Sequence, residues 1–213
     1  MSGVRVKICG ISEPAGLTAA IEAGARYVGF VFYPPSSRYV AIDTAKELAL
    51  QVPTGVRAVG LFVDPTDLQL QETLGKVQLD MIQLHGMETP DRVAEIKARY
   101  AMPVMKAIRV REASDLEEIS AFEAVADWLL FDSKPEQASL PGGTGHKFDW
   151  DLLKGREFNK PWMLAGGVTV DNVADALSQL TPNAIDISSG VEHAPGVKDA
   201  EKIKAFMTRV KML

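Results

Sequence analysis

The chain has 213 residues, of which 46% are hydrophobic, so its length suits one globular domain with a sizeable core. Its formal net charge is -5 and it lacks a long basic run, which argues against a nucleic-acid-binding protein. The single cysteine, Cys9, excludes an intrachain disulfide, and the three widely spaced histidines form no recognisable zinc pattern.

The ends and apolar runs of the sequence favour a soluble protein. The first residues contain no apolar signal-peptide region, and no apolar run approaches the roughly 18 residues of a membrane span. We therefore expect a cytoplasmic location and no membrane partner.

Short β-branched runs alternate with amphipathic helical stretches along the chain. The predicted strands cover, in chain order, residues 4–9, 27–32, 57–63, 81–84, 104–108, 128–131, 162–165 and 184–187. The predicted helices cover residues 14–23, 44–51, a stretch with Leu68, Leu70 and Leu74, then 92–100, 113–122, a short piece near 150–153, 170–180 and 200–210. The strands are nearly continuous apolar runs, as in a parallel sheet that is buried on both faces.

Eight strand-and-crossover units favour closure into an α/β (βα)8 (TIM) barrel, one domain spanning residues 1–213. A doubly wound open sheet is the main alternative. The longest irregular stretch, residues 132–147, is rich in Gly, Pro and Ser, and a loop of that length is usually functional.

Glycine and serine follow the last two predicted strands. Gly166 and Gly167 come after the seventh strand, and Ser188, Ser189 and Gly190 come after the eighth. Barrels commonly bind phosphate at this place through backbone N–H groups, and serine hydroxyls can add donors. Tight turns also need glycine, but two such loops after these two strands predict a phosphate site.

Two groups suited to acid–base chemistry end predicted strands. Cys9 could be an inert core residue, but a thiol at a strand's carboxyl end can act as a general base if a neighbouring cation lowers its pKa. Asp132 could order a loop, or it could donate a proton at the barrel mouth. Strand parity places Lys7 on the same face as Cys9, and a buried lysine needs a carboxylate, for which Asp186 is the candidate.

The remaining candidates, Arg38 and His85, each allow two interpretations. Arg38 is either a solvated surface residue or a fork that grips a substrate carboxylate. His85 is either an oriented hydrogen-bond donor or a packed ring.

A set of motifs, in order from about residue 4 to residue 199, resembles the phosphoribosylanthranilate isomerase family. The matching segments are Lys7-Ile8-Cys9-Gly10-Ile11, Gly29-Phe30-Val31-Phe32-Tyr33, Ser37-Arg38-Tyr39, Gly60-Leu61-Phe62-Val63, Gln83-Leu84-His85-Gly86, Gly142-Gly143-Thr144-Gly145, Phe148-Asp149-Trp150, Gly166-Gly167, Asp186-Ile187-Ser188-Ser189-Gly190-Val191-Glu192 and Pro195-Gly196-Val197-Lys198-Asp199.

The resemblance implies an Amadori rearrangement of a phosphorylated aminosugar in tryptophan biosynthesis. It implies Asp132 as the general acid, Cys9 as the general base and Arg38 as the ligand of the anthranilate carboxylate. The loops with Gly166, Gly167, Ser188, Ser189 and Gly190 would hold the phosphate, and His85 and Asp186 would also contact the substrate. No cofactor or metal is implied, and the chain would be a monomer or a homodimer.

Three other functions compete with this interpretation. Pentose-phosphate epimerases need metal-binding histidines and carboxylates that the sequence does not present. The related aminosugar isomerase of histidine biosynthesis has an aspartate where this chain has Cys9, although activity on both substrates stays open. A catalytically silent phosphate-binding barrel would not need Cys9, Asp132 and Arg38 together.

Overall fold

The computed structural model describes residues 3–133 and 150–213, and eight parallel strands close into a barrel. The last strand pairs with the first, with Lys7 opposite Asp186, so the (βα)8 prediction is confirmed and the open sheet is excluded. The barrel strands are β1 (Arg5–Cys9), β2 (Tyr27–Val31), β3 (Arg57–Phe62), β4 (Met81–Leu84), β5 (Val104–Val110), β6 (Trp128–Ser133), β7 (Trp162–Leu164) and β8 (Ala184–Ile187).

Helices cover the outside of the barrel, and local capping sets several of their ends. Gly24 ends the first helix in the left-handed conformation, with φ of 94°, which glycine adopts without a Cβ penalty. Thr66 and Gln69 form a reciprocal capping box at the start of the third. The helices are α1 (Pro14–Ala23), α2 (Ile42–Ala49), α3 (Asp67–Leu74), α4 (Pro90–Tyr100), α5 (Ile119–Val125), α6 (Val173–Gln179) and α7 (Ala200–Lys211).

The predicted continuous helix over residues 113–122 is wrong. A 3-10 helix, Ala113–Leu116, precedes α5 instead. Leu116 on one side of the break and Ile119 and Phe122 on the other are all buried in the same core, so packing against the barrel holds both pieces in place. The short piece near residue 150 is likewise a 3-10 helix, Trp150–Leu152.

A small antiparallel hairpin follows β8, and the sequence analysis did not predict it. Its strands are β9 (Glu192–Ala194) and β10 (Val197–Lys198). Gly196, in the turn, has φ of 84°, and any side chain there would collide with the carbonyl of Ser37. The hairpin is therefore packed tightly against the loop that follows β2.

Alternation along the strands separates two apolar layers. Ile8 and Phe131 point outward into the core between strands and helices. Met81, Met105 and Met163 belong to a second cluster that fills the barrel interior. The last inward-facing residues of each strand lie at the carboxyl rim of the barrel.

Membrane-spanning helices are not found in the part of the chain that the structure describes, because no helix there is both long and apolar enough.

Substituting Phe131 by alanine should destabilise the barrel. Its buried ring lies 4.8 Å from the ring of Phe158 and 5.6 Å from that of Trp162, measured between centroids. Because the cavity cannot be refilled by these rigid rings, we expect the free energy of unfolding to fall by about 3–5 kcal/mol in urea denaturation. The control Leu68→Ala removes a side chain that is 63% exposed and should cost less than about 0.5 kcal/mol. Equal losses would contradict this packing.

Candidate active site

A cavity at the carboxyl rim of the barrel brings the predicted site residues together. Gly190 stands just outside its lining, where an added Cβ would lie 2.6 Å from the carbonyl oxygen of the lining residue Val168. The predicted residues that line the cavity are Cys9, Arg38, His85, Asp132, Gly166, Gly167, Asp186, Ser188 and Ser189.

The thiol of Cys9 lies at the end of β1 and is buried. Burial raises its pKa above the ordinary value, although the charges of Lys7 and Lys198 act in the opposite direction. In the resting site desolvation thus outweighs the neighbouring cations, and the condition of a lowered thiol pKa is not met. The cations needed to stabilise a thiolate are nevertheless present.

Lys7 lies below Cys9 inside the barrel and makes the predicted ion pair. Its Nζ is 2.9 Å from Asp186 Oδ1, and the lysine is fully buried. Burial alone would lower the pKa of Lys7, but the charges of Asp186 and Cys9 hold it above the ordinary value. The pairing of Lys7 with Asp186 is confirmed, and Lys7 remains an ammonium at neutral pH.

Asp132 is held by hydrogen bonds at both of its carboxyl oxygens. Its Oδ1 accepts from the backbone N–H of Ser133 at 2.8 Å, and its Oδ2 lies 3.0 Å from Nε2 of His85. The other ring nitrogen of His85, Nδ1, lies 2.9 Å from Nε2 of Gln83. If the Gln83 amide donates, Nδ1 is the acceptor and Nε2 carries the ring proton toward Asp132.

This chain of contacts decides between the two interpretations of His85. The ring is hydrogen-bonded at both nitrogens and points into the cavity, so it is not simply a packed ring. The sequence analysis did not identify Gln83 as part of the site. Its position two residues before His85, on the same face of β4, was the available signal.

Arg38 is neither free nor solvated, because Glu192 of β9 binds it. The Nε and Nη2 atoms of Arg38 each donate to a different carboxylate oxygen of Glu192, both at 2.8 Å. Lys198 of β10 donates to the same carboxylate at 2.7 Å and to the carbonyl of Ser188 at 3.2 Å. The Glu192 and Lys198 positions lie in the hairpin that sequence reasoning missed, and the Pro195-Gly196 dipeptide was its only turn signal.

The orientation of Arg38 also depends on Gly10. Gly10 has φ of 78°, and an added Cβ would lie 2.7 Å from Cδ of Arg38. The arginine can therefore lie across the end of β1, next to Cys9. Neither of its hydrogen bonds to Glu192 uses Nη1.

The loop after β7 contains two consecutive glycines in the left-handed region. Gly166 and Gly167 have φ of 76° and 70°. Their N–H groups donate to no backbone oxygen of residues 3–133 or 150–213. The hydroxyl of Ser188 donates to the carbonyl of Cys9 at 2.9 Å, so this proton is directed toward β1. Because the N–H groups of Gly166 and Gly167 have no backbone acceptor in the described part of the chain, they would be the main donors that the loop after β7 offers to an anion such as phosphate.

Some sequence predictions concern residues outside the described part. These are the motifs Gly142-Gly143-Thr144-Gly145 and Phe148-Asp149, and the loop over residues 132–147 beyond Ser133. Among the residues that are described, no three His, Cys, Asp or Glu side chains are grouped so as to hold a metal ion.

Comparisons with known proteins agree on one family. Residues 6–209 match the family model described as N-(5'phosphoribosyl)anthranilate (PRA) isomerase. An N-(5'-phosphoribosyl)anthranilate isomerase of Paracoccus denitrificans is 57% identical over 207 residues, which cover 97% of this chain and 96% of that protein. One from Rhodospirillum centenum is 54% identical, with 96% of each chain covered. The chain belongs to the N-(5'-phosphoribosyl)anthranilate isomerase family.

Solved structures of phosphoribosylanthranilate isomerases have the same fold. The enzyme from Thermotoga maritima is 37% identical, with a TM-score of 0.88 over 99% of this chain and 100% of that one. Another isomerase, solved with reduced 1-(o-carboxyphenylamino)-1-deoxyribulose 5-phosphate, is 34% identical with a TM-score of 0.83 over 99% of this chain and 100% of that one. As a member of this family, the chain is an isomerase.

Substituting Glu192 by glutamine should destabilise the isomerase in a pH-dependent way. Burial would raise the pKa of Glu192, but Arg38 and Lys198 hold it below the ordinary value. The stabilisation is thus complete above the ordinary carboxyl pKa and is lost as the pH falls through the lowered one. We expect Glu192→Gln to cost about 3 kcal/mol at pH 7 in urea denaturation, and the difference from the unmodified protein to shrink on acidification below about pH 4.

A matched control is Glu95→Gln, which breaks ion pairs of Arg92 and Arg99 on the surface. Glu95→Gln should lower the free energy of unfolding by less than about 1 kcal/mol at both pH 7 and pH 3. A Glu192→Gln deficit that stayed constant between pH 7 and pH 3 would show that the carboxylate charge is not what stabilises the hairpin.

Proposed function

We propose that the isomerase rearranges N-(5'-phosphoribosyl)anthranilate by general acid–base catalysis, with Asp132 as the acid and Cys9 as the base. The observation that carries this proposal is the position of the two groups. Cys9 is the last residue of β1 and Asp132 the last but one of β6, and both line one cavity at the carboxyl rim, where barrel enzymes bind their substrates.

The reaction starts at the ribose ring. The anilino nitrogen forms a C1=N bond as the bond from C1 to the ring oxygen breaks, and this oxygen takes a proton from Asp132. The contact between Asp132 Oδ2 and His85 Nε2 orients the carboxyl group for this transfer. The product of this step is an open-chain Schiff base.

Cys9 acts in the second step. As a thiolate, its sulfur takes the proton from C2, the C–H electron pair forms a C1=C2 bond, and the C=N pair returns to nitrogen. The resulting enolamine then loses the proton of its C2 hydroxyl and gains one at C1, which gives the aminodeoxyribulose phosphate. Every proton that leaves the substrate in this scheme is matched by one that returns.

Both charged ends of the substrate have matching partners in the cavity. We assign the anthranilate carboxylate to Nη1 of Arg38. The two hydrogen bonds to Glu192 orient the plane of this guanidinium group. We assign the phosphate to the backbone of Gly166 and Gly167 and to the loop of Ser188, Ser189 and Gly190. His85 and Asp186 also line the cavity and would contact the sugar.

The related aminosugar isomerase of histidine biosynthesis is the second candidate. It would need an aspartate base, and a thiol, Cys9, occupies that position. A cofactor-free reaction, a cytoplasmic location, a one-domain chain and a monomeric or homodimeric state remain predictions.

Replacing either member of the acid–base pair should abolish most turnover. We expect Cys9→Ala and Asp132→Asn each to lower kcat by on the order of 10²–10⁴, because each removes a proton-transfer group. The measurement is the loss of N-(5'-phosphoribosyl)anthranilate fluorescence, with the substrate generated in situ. Asp91→Asn, an exposed carboxylate at the start of α4, is the control and should keep full activity. A folded, unmodified protein without turnover would overturn the proposal.

Replacing Arg38 should act on binding rather than on chemistry. We expect Arg38→Ala to raise KM while kcat changes less, because the carboxylate contact is present in both ground and transition states. Arg26→Ala, an exposed arginine before β2 at the opposite end of the barrel, should leave KM unchanged. An unaltered KM in Arg38→Ala would remove the carboxylate assignment.

A further inference from the structure

The Lys7–Asp186 pair stands out from the rest of the barrel interior. Many of the other inward-facing side chains are apolar, among them Met81, Met105 and Met163. Replacing a buried ion pair by apolar side chains of similar size is often neutral or stabilising, so the fold alone does not require a charge here. An ammonium that is 0% exposed therefore calls for a role beyond packing.

Gly29 of β2 lies beside both the Lys7 ammonium and the Cys9 sulfur. It pairs with Cys9 across the sheet. A Cβ built on Gly29 would lie 2.9 Å from Cys9 Sγ and 3.1 Å from Lys7 Nζ, so the sulfur and the ammonium border the same gap. Only glycine leaves room for both groups at this level of the barrel, because any other side chain would displace one of them.

The charges around the sulfur indicate the direction of the effect. Burial raises the pKa of Cys9, and among the groups that lower it the charge of Lys7 is the largest. Asp186 raises the pKa by less than Lys7 lowers it, and Lys198, from β10, lowers it weakly. Arg38, His85 and Asp132 line the same cavity as Cys9. Lys7 is therefore the cation with the largest stabilising effect on the thiolate.

We propose that Lys7 is a positioning residue whose ammonium, held by Asp186 and admitted by Gly29, stabilises Cys9 as the thiolate that takes the C2 proton. This inference rests on the proposed function, in which Cys9 is the general base. Lys7 acts through the sulfur and transfers no proton itself.

The test uses the fact that Cys9 is the only cysteine of the chain, so alkylation by iodoacetamide reports this thiolate alone among thiols. An opposite charge at this range shifts a pKa by about 1–3 units. At a fixed pH near 8, Lys7→Met should therefore lower the alkylation rate by roughly 10-fold or more. The acid limb of kcat/KM against pH should move to higher pH by the corresponding amount.

Two variants keep the test decisive. Lys106→Met breaks the buried ion pair between Lys106 and Glu88. This pair lies on the outer side of β5, so the variant should be alkylated at the rate of the unmodified protein. The double variant Lys7→Met/Asp186→Leu removes both charges, so no unpaired charge opposes folding, and it should still alkylate more slowly than the unmodified protein. Circular dichroism checks the fold of each.

The outcomes separate this inference from the proposed function. A Lys7→Met protein and a double variant that both alkylate at the original rate would overturn the role of Lys7, whatever the activity of Cys9→Ala. Full turnover by Cys9→Ala would instead remove Cys9 as the base, while a slower alkylation of Lys7→Met would still establish the influence of the ammonium on the thiol.

Discussion

Closure of the barrel through the pairing of β8 with β1 is the constraint on which the site depends. Once eight parallel strands close, alternate side chains of every strand must point into a shared interior, and all carboxyl ends meet at one rim. Residues that are far apart in sequence, such as Cys9 and Asp132, are thereby brought to one cavity. The same closure places Lys7 directly opposite Asp186.

The interior of the barrel changes from apolar to polar along its axis. The methionines Met81 and Met163 fill the lower part, whereas Lys7, Gln83 and Asp186 lie nearer the rim. There Lys7 pairs with Asp186, and Nε2 of Gln83 contacts His85. These upper groups are buried, so each charge acts strongly on its neighbours. That is why desolvation, Lys7 and Asp186 together dominate the ionisation of Cys9.

The hairpin after β8 adds a second level of organisation. Glu192 holds the Arg38 fork, and Lys198 connects that carboxylate to the Ser188 loop. The groups assigned to the anthranilate carboxylate and to the phosphate are thus joined by one network of charged hydrogen bonds. A change in the hairpin should therefore disturb both Arg38 and the Ser188 loop.

The sequence by itself determined the barrel, the positions of most strands and the members of the candidate site. Strand period and local turn chemistry are properties of short segments, so the glycine loops at Gly166 and Ser188 and the parity of Lys7 with Cys9 could be predicted without coordinates. The resemblance to an isomerase family supplied the roles. The family motifs follow one another in order along the chain, so they could be recognised without the fold.

Only the tertiary structure decided what each site residue contacts. The link from Gln83 through His85 to Asp132, and the capture of Arg38 by Glu192, join residues that no short-range pattern connects. The break before α5 and the raised pKa of Cys9 likewise follow from packing and desolvation, which depend on every element that surrounds a group. A sequence pattern can place a side chain on a face, but its partners and its charge state are set by the elements that close over it.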